Sequence, residues 1–66
     1  MEIIVNSKSK SVPNDLTLTG LIAMLELGGQ RFAIEVNQRV ISRTEHANYA
    51  LQANDKIEIV RAIGGG

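Results

Sequence analysis

Leu18-Thr19-Gly20-Leu21-Ile22-Ala23-Met24-Leu25-Glu26-Leu27 is the stretch that decides the fold. Leu18, Leu21, Ile22 and Leu25 follow the i, i+3, i+4, i+7 spacing of one helix face. Thr17 stands where an N-cap belongs, with a hydroxyl to offer a free first-turn amide. Gly28-Gly29 supplies a left-handed stop. The pattern predicts a helix over residues 18–27. Gly20 inside it costs about 1 kcal/mol relative to alanine, and close packing against a sheet would account for a glycine there. Met24 and Leu27 widen the apolar stripe.

On both sides the period changes from helical to two. Met1-Ile3-Val5 alternates with Glu2-Ile4-Asn6, which reads as a strand. Asn6 to Lys10 is polar and turn-prone, and Ser11-Val12 permits a short return strand before Pro13-Asn14-Asp15. After the helix, Phe32-Ile34-Val36 alternates with Ala33-Glu35-Asn37 as a third strand. Asn37-Gln38-Arg39 turns the chain into a short fourth strand at Val40-Ile41. Residues 44–50 are polar and irregular, with room for one helical turn. Asn54-Asp55 makes a turn before the last strand, 56–61, where Ile57 and Ile59 share one face. One helix over one face of a mixed sheet is an α+β layer arrangement. The predicted core is Ile3, Val5, Leu21, Ile22, Leu25, Ile34, Val36, Ile57 and Ile59. The first and last strands are the most apolar and are expected at the sheet centre.

Sixty-six residues make one small domain with little room for a deep pocket. Cysteine is absent, so no disulfide, thiolate metal site or cysteine nucleophile is available. Seven basic residues balance seven acidic ones, and the basic ones are scattered. Phe32 and Tyr49, the only aromatics, form no stacking platform, so nucleic-acid binding is not expected. No apolar run approaches a membrane span, and Met1 to Asn6 lacks a signal-peptide pattern. The expectation is a soluble, cytoplasmic protein that binds no membrane.

Autonomous catalysis has no evident machinery. His46, the single histidine, has no cysteine or second histidine to work with and is expected to be an exposed loop residue. The glutamates are spread over different elements, as solvated faces rather than an acid/base pair. Gly28-Gly29 fits no phosphate-loop pattern. No metal or bound cofactor is expected.

The remaining feature is Gly64-Gly65-Gly66, just beyond the last strand. Glycine has no Cβ, so such a segment can enter a narrow slot and present a carboxylate to another protein. A frayed chain end is the plain alternative. The domain is therefore expected over 1–61, with a flexible glycine tail at 62–66.

Three stretches carry a resemblance: residues 36–43 (Val-Asn-Gln-Arg-Val-Ile-Ser-Arg), residues 51–60 (Leu-Gln-Ala-Asn-Asp-Lys-Ile-Glu-Ile-Val) and residues 61–66 (Arg-Ala-Ile-Gly-Gly-Gly). With the element order, they make the whole chain resemble the ubiquitin-like β-grasp family, and within it the ThiS sulfur carriers of thiamine biosynthesis. Three positions depart from the usual family pattern. Gln38 replaces a turn glycine, Ser42 a proline and Asn54 a glycine.

The resemblance implies a β-grasp with a mixed four- to five-stranded sheet packed against one main helix. It implies that the chain is a protein co-substrate, not an enzyme. A ThiF-like adenylating enzyme, using ATP and Mg²⁺, would activate the Gly66 carboxylate. A persulfide sulfur donor would convert it to a thiocarboxylate, for delivery to a ThiG-like thiazole synthase. Ile63, Gly64, Gly65 and Gly66 would enter partner sites, and Val60, Arg61 and Ala62 are candidates for partner docking. The small subunit of molybdopterin synthase, a ubiquitin-like modifier and a non-covalent β-grasp interaction module remain as alternatives.

Overall fold

The computed structural model describes residues 1–27 and 30–61. Five strands form one sheet: β1 (Glu2–Val5), β2 (Lys8–Ser11), β3 (Phe32–Val36), β4 (Arg39–Ile41) and β5 (Lys56–Arg61). One α-helix, α1 (Leu18–Met24), follows β2, and a 3₁₀ helix (Arg43–Asn48) follows β4. The spatial order is β2-β1-β5-β3-β4. β5 lies at the centre, parallel to β1 and antiparallel to β3. Both sequence-central candidates thus take interior positions, with β5 in the middle.

Two tight hairpins flank β5. Val5 pairs with Lys8 and Val36 with Arg39, so each turn has two residues. Asn6 and Ser7 have φ of 48° and 72°, and Asn37 and Gln38 have 52° and 69°. Paired left-handed residues of this kind match the right-handed twist of the strands they join. The first turn is shorter than its polar sequence suggests. Most of the expected turn, Lys8 to Lys10, is strand, and Val12 lies beyond it. β2 carries no apolar alternation because it is an edge strand, with Lys8, Ser9 and Ser11 exposed.

Helix α1 begins as its sequence predicts. The Thr17 hydroxyl accepts the Gly20 amide at 3.1 Å. It ends about a turn early. Leu25 is the C-cap, and Glu26 takes the left-handed conformation with φ 56°. The chain therefore leaves the helix before Gly28-Gly29, which lie outside the described residues. Gly20 is close-packed, but not on the sheet. A Cβ there would sit 2.7 Å from Leu16 Cδ1, in the segment that leads into the helix.

The core lies between α1 and the inner sheet face. Ile3, Leu18, Leu21, Ile34, Val36 and Ile57 are almost wholly buried. Val12, Leu27, Ile41 and Leu51, from short or irregular segments, complete it. Val5, Ile22, Leu25 and Ile59, expected in the core, pack against its edge and are half-buried. Shortening the helix explains Leu25, which now caps a seven-residue helix instead of lying inside a longer one.

His46 corrects an expectation. It is buried, with 7% exposure, and its Nε2 lies 3.1 Å from the Ile41 carbonyl oxygen. A carbonyl can only accept, so Nε2 carries the proton and donates. The ring ties the 3₁₀ helix back to β4. No periodicity in residues 44–50 signals this burial.

Candidate docking end of the sheet

The candidate site is the C-terminal end of β5, from which residues 62–66 continue. Its position is set from both sides. β3 pairs with β5 through Ala33 to Val60 and Phe32 to Arg61, so the ladder runs to the last residue of the strand. On the other side, the β1 register covers only Lys56 and Ile57. There the Asn6 Oδ1 accepts the Ile59 amide at 2.8 Å, and the Asn6 amide donates to the Ile57 carbonyl at 2.9 Å. A turn side chain thus stands in for the strand that β1 no longer supplies.

The second hairpin makes a matching contact at the start of β5. Asn37 Oδ1 accepts the Lys56 amide at 3.0 Å, and its Nδ2 donates to Asp55 Oδ1 at 3.1 Å. Asp55 Oδ2 accepts the Gln52 amide at 2.8 Å. These contacts brace the turn in which Asn54 adopts φ 70°. Asp55 is therefore a turn brace and not a free acid.

Val60 points away from the core side and is 55% exposed, and Arg61 is exposed as well. Val60 shares this outer face with Val40, which is 66% exposed, and with Glu35, Lys56 and Glu58, and its place beside the strand end makes it a candidate for docking. Arg31, Phe32, Ala33, Val60 and Arg61 surround a shallow hollow of about 330 Å³. Val5, Asn6, Leu25, Leu27, Ile59 and Arg61 surround a second, of about 340 Å³, on the β1 side. The strand end is thus flanked by apolar ground on both sides, with Arg61 lining each hollow. The remaining sequence candidates, Ala62, Ile63, Gly64, Gly65 and Gly66, lie outside the described residues.

The three departures from the family pattern have local explanations. Gln38 and Asn54 both take left-handed φ, at 69° and 70°, where glycine would be unstrained. Ser42 has φ −68°, within the range to which a proline ring is locked, and ψ 153°. Its hydroxyl lies 3.1 Å from Thr44 Oγ1 at the start of the 3₁₀ helix.

Among the described residues, no group of three or more His, Asp or Glu side chains could hold a metal ion. Nor is any helix there long and apolar enough to cross a membrane.

A five-stranded mixed sheet of this order, with one helix across its inner face, defines a ubiquitin-like β-grasp protein. Within that class the chain belongs to the ThiS family, whose model matches residues 1–66. The fold superimposes on the crystal structure of the thiamine biosynthesis protein ThiS from Geobacter metallireducens with a TM-score of 0.86. The two are 26% identical, and the match covers 100% of both chains. The chain is also 36% identical over 66 residues to the thiazole synthase of Magnetococcus marinus, and spans 20% of that protein's length. A third relative, the ycf40 protein of Porphyra purpurea, is 31% identical over 67 residues, with 100% of this chain and 93% of that protein covered.

Proposed function

We propose that this protein is a sulfur carrier of thiamine biosynthesis, with its cargo on the carboxyl carbon of Gly66. The observation that carries the reading is the family match over the whole chain, together with the sequence Gly64-Gly65-Gly66 shortly after β5. No cysteine is present, so any sulfur must ride on a group other than a thiol of this chain.

The chemistry follows from the weakness of a carboxylate as an electrophile. Its charge repels nucleophiles, and its oxygen is a poor leaving group. An adenylating enzyme first brings ATP and Mg²⁺ to it. A Gly66 carboxylate oxygen attacks the α-phosphate, pyrophosphate leaves, and an acyl-adenylate forms. Cationic groups and metal on that enzyme offset the phosphate charge. The terminal sulfur of a protein persulfide then attacks the acyl carbon and expels AMP. This gives an acyl disulfide. A thiol attacks the donor's cysteine sulfur, forming a disulfide with the donor and releasing the thiocarboxylate. A thiazole synthase would receive that sulfur, and the likeness to a thiazole synthase chain supports this partner.

This chain contributes the tether and its mounting. Five residues, 62–66, span about 17 Å when extended, at roughly 3.3–3.6 Å each. That length reaches a buried reaction centre while the folded domain docks outside it. Val60 and Arg61 are the docking residues nearest the tether.

Intact mass tests the reading. After incubation with the cognate adenylating enzyme, ATP and a persulfide source, the mass rises by the difference between sulfur and oxygen. Fragmentation places the change on Gly66, and amidation of Gly66 prevents it. An unchanged mass in an active system, or an isopeptide bond to a target lysine, refutes the carrier role.

A further inference from the structure

A third hollow lies on the helix side of the molecule, away from the outer sheet face. Its apolar floor is Ile22 of α1, Leu27 and Phe32. Arg31, Arg43 and Gln30 stand around it, and the opening holds about 500 Å³. No Asp or Glu lines it, although the chain carries as many acids as bases. Two acids stand together on the outer sheet face. Glu35 and Glu58 are paired across β3 and β5, on the face opposite Ile34 and Ile57.

Arg31 and Phe32 line both this hollow and the one beside Val60 and Arg61. The two form one continuous surface from the 3₁₀ helix to the end of β5. Both arginines are exposed. A guanidinium offers a planar fork of donors that matches a carboxylate. Cations around an apolar floor fit a segment with one apolar side chain between two acidic ones.

We propose that this hollow docks an acidic segment of the adenylating enzyme, which holds the carrier while its tail is in the reaction centre. The identity of that partner rests on the carrier reading. The hollow then sets how fast and how tightly the carrier associates, through charge steering. It has no part in the acyl transfer itself.

The test uses the full chain and the adenylating enzyme of the same organism, with ATP–pyrophosphate exchange as readout. Arg31→Glu with Arg43→Glu is compared with Lys8→Glu with Lys56→Glu, which changes net charge equally at exposed sites outside the hollow. The arginine pair is expected to raise the KM for the carrier about tenfold or more, with kcat retained, and to flatten the salt dependence of KM. The lysine pair leaves KM within about twofold. Equal KM in the two variants, with melting curves retained, overturns the proposal. If the glutamate pair does not fold, Arg31→Gln with Arg43→Gln is compared with Lys8→Gln with Lys56→Gln in the same way. Self-association of the wild-type chain that the arginine variant abolishes also overturns it, since a second copy with its Glu35–Glu58 face is then the occupant. Exchange by the wild-type chain checks the carrier reading separately. With exchange present and KM unmoved, only the docking proposal falls. With no exchange at all, the carrier reading falls and takes this partner with it.

Discussion

Asn6 and Ile59 stand 53 positions apart in the chain, yet the Asn6 Oδ1 accepts the Ile59 amide at 2.8 Å. The first turn of the protein therefore holds the strand from which residues 62–66 continue. Asn6 meets two requirements at once: it tolerates φ 48° and supplies the acceptor. Asn6→Ala loses both and should cost about 1–3 kcal/mol. Asn6→Gly keeps the backbone conformation and loses only the acceptor, so it should cost less. Chemical denaturation of both variants separates the two contributions. Equal stability of Asn6→Ala and the wild type would show that the contact contributes nothing.

Gln38→Gly should stabilise the protein. Gln38 sits at φ 69° in a two-residue hairpin turn, where a side chain is strained. Relief of about 1 kcal/mol is partly offset by the greater freedom of glycine in the unfolded chain. The net gain should be a few tenths of a kcal/mol to about 1 kcal/mol, read as a shift of the denaturation midpoint. A loss of stability would mean that the Gln38 side chain makes contacts that outweigh its backbone.

Two leucines on one helix should differ. Leu21 is fully buried, and Leu21→Ala should cost about 2–5 kcal/mol. Leu25 is half-buried at the helix cap, so Leu25→Ala should cost distinctly less. Similar losses at both sites would place Leu25 deeper in the core than its exposure indicates.

The legible parts of this fold were those with a repeating pattern. Period-two alternation in residues 1–6 and 32–37 located β1 and β3, and the leucine spacing located the start of α1. The end of α1 was misplaced because Glu26, not a glycine, takes the left-handed position. A non-glycine in that conformation leaves no sequence mark. β2 was misplaced because an exposed edge strand needs no apolar residues. Val12, Ile41, His46 and Leu51 are buried by tertiary closure of short segments, which have too few residues to show a period. The docking end was half legible. Val60 and Arg61 were marked by their place before the glycines, whereas Phe32 and Ala33 join them only through strand pairing.

His46→Phe should keep the volume of the buried ring roughly constant and remove its donor. The Ile41 carbonyl would then lose its 3.1 Å partner. Leaving a buried acceptor unpaired should cost about 1–3 kcal/mol. Adenylation at saturating carrier should not change, since His46 braces the fold and transfers no proton in the proposed reaction. A selective loss of kcat with stability retained would contradict that assignment.

The tail should separate from the fold. Deleting Gly65-Gly66 should leave the melting temperature nearly unchanged, because glycine buries no side chain, while abolishing adenylation. Gly65→Val should sharply reduce pyrophosphate exchange in a domain that still folds, since a narrow slot admits only the bare backbone. A large drop in melting temperature in either variant would show that these glycines pack structurally.

The central position of β5 has a consequence for the order of synthesis. Residues 56–61 are the last strand of this sheet to leave the ribosome, and both β1 and β3 need them as a neighbour. Until they emerge, the sheet is two separate hairpins, and an isolated hairpin is marginally stable at best. The pairing of β1 with β5 closes a long loop late, which is the slow kind of contact. Nascent chains interrupted before residue 56 therefore cannot complete the sheet. The sheet is complete only once its central strand has been made, so no product shortened before residue 56 can hold its two hairpins together.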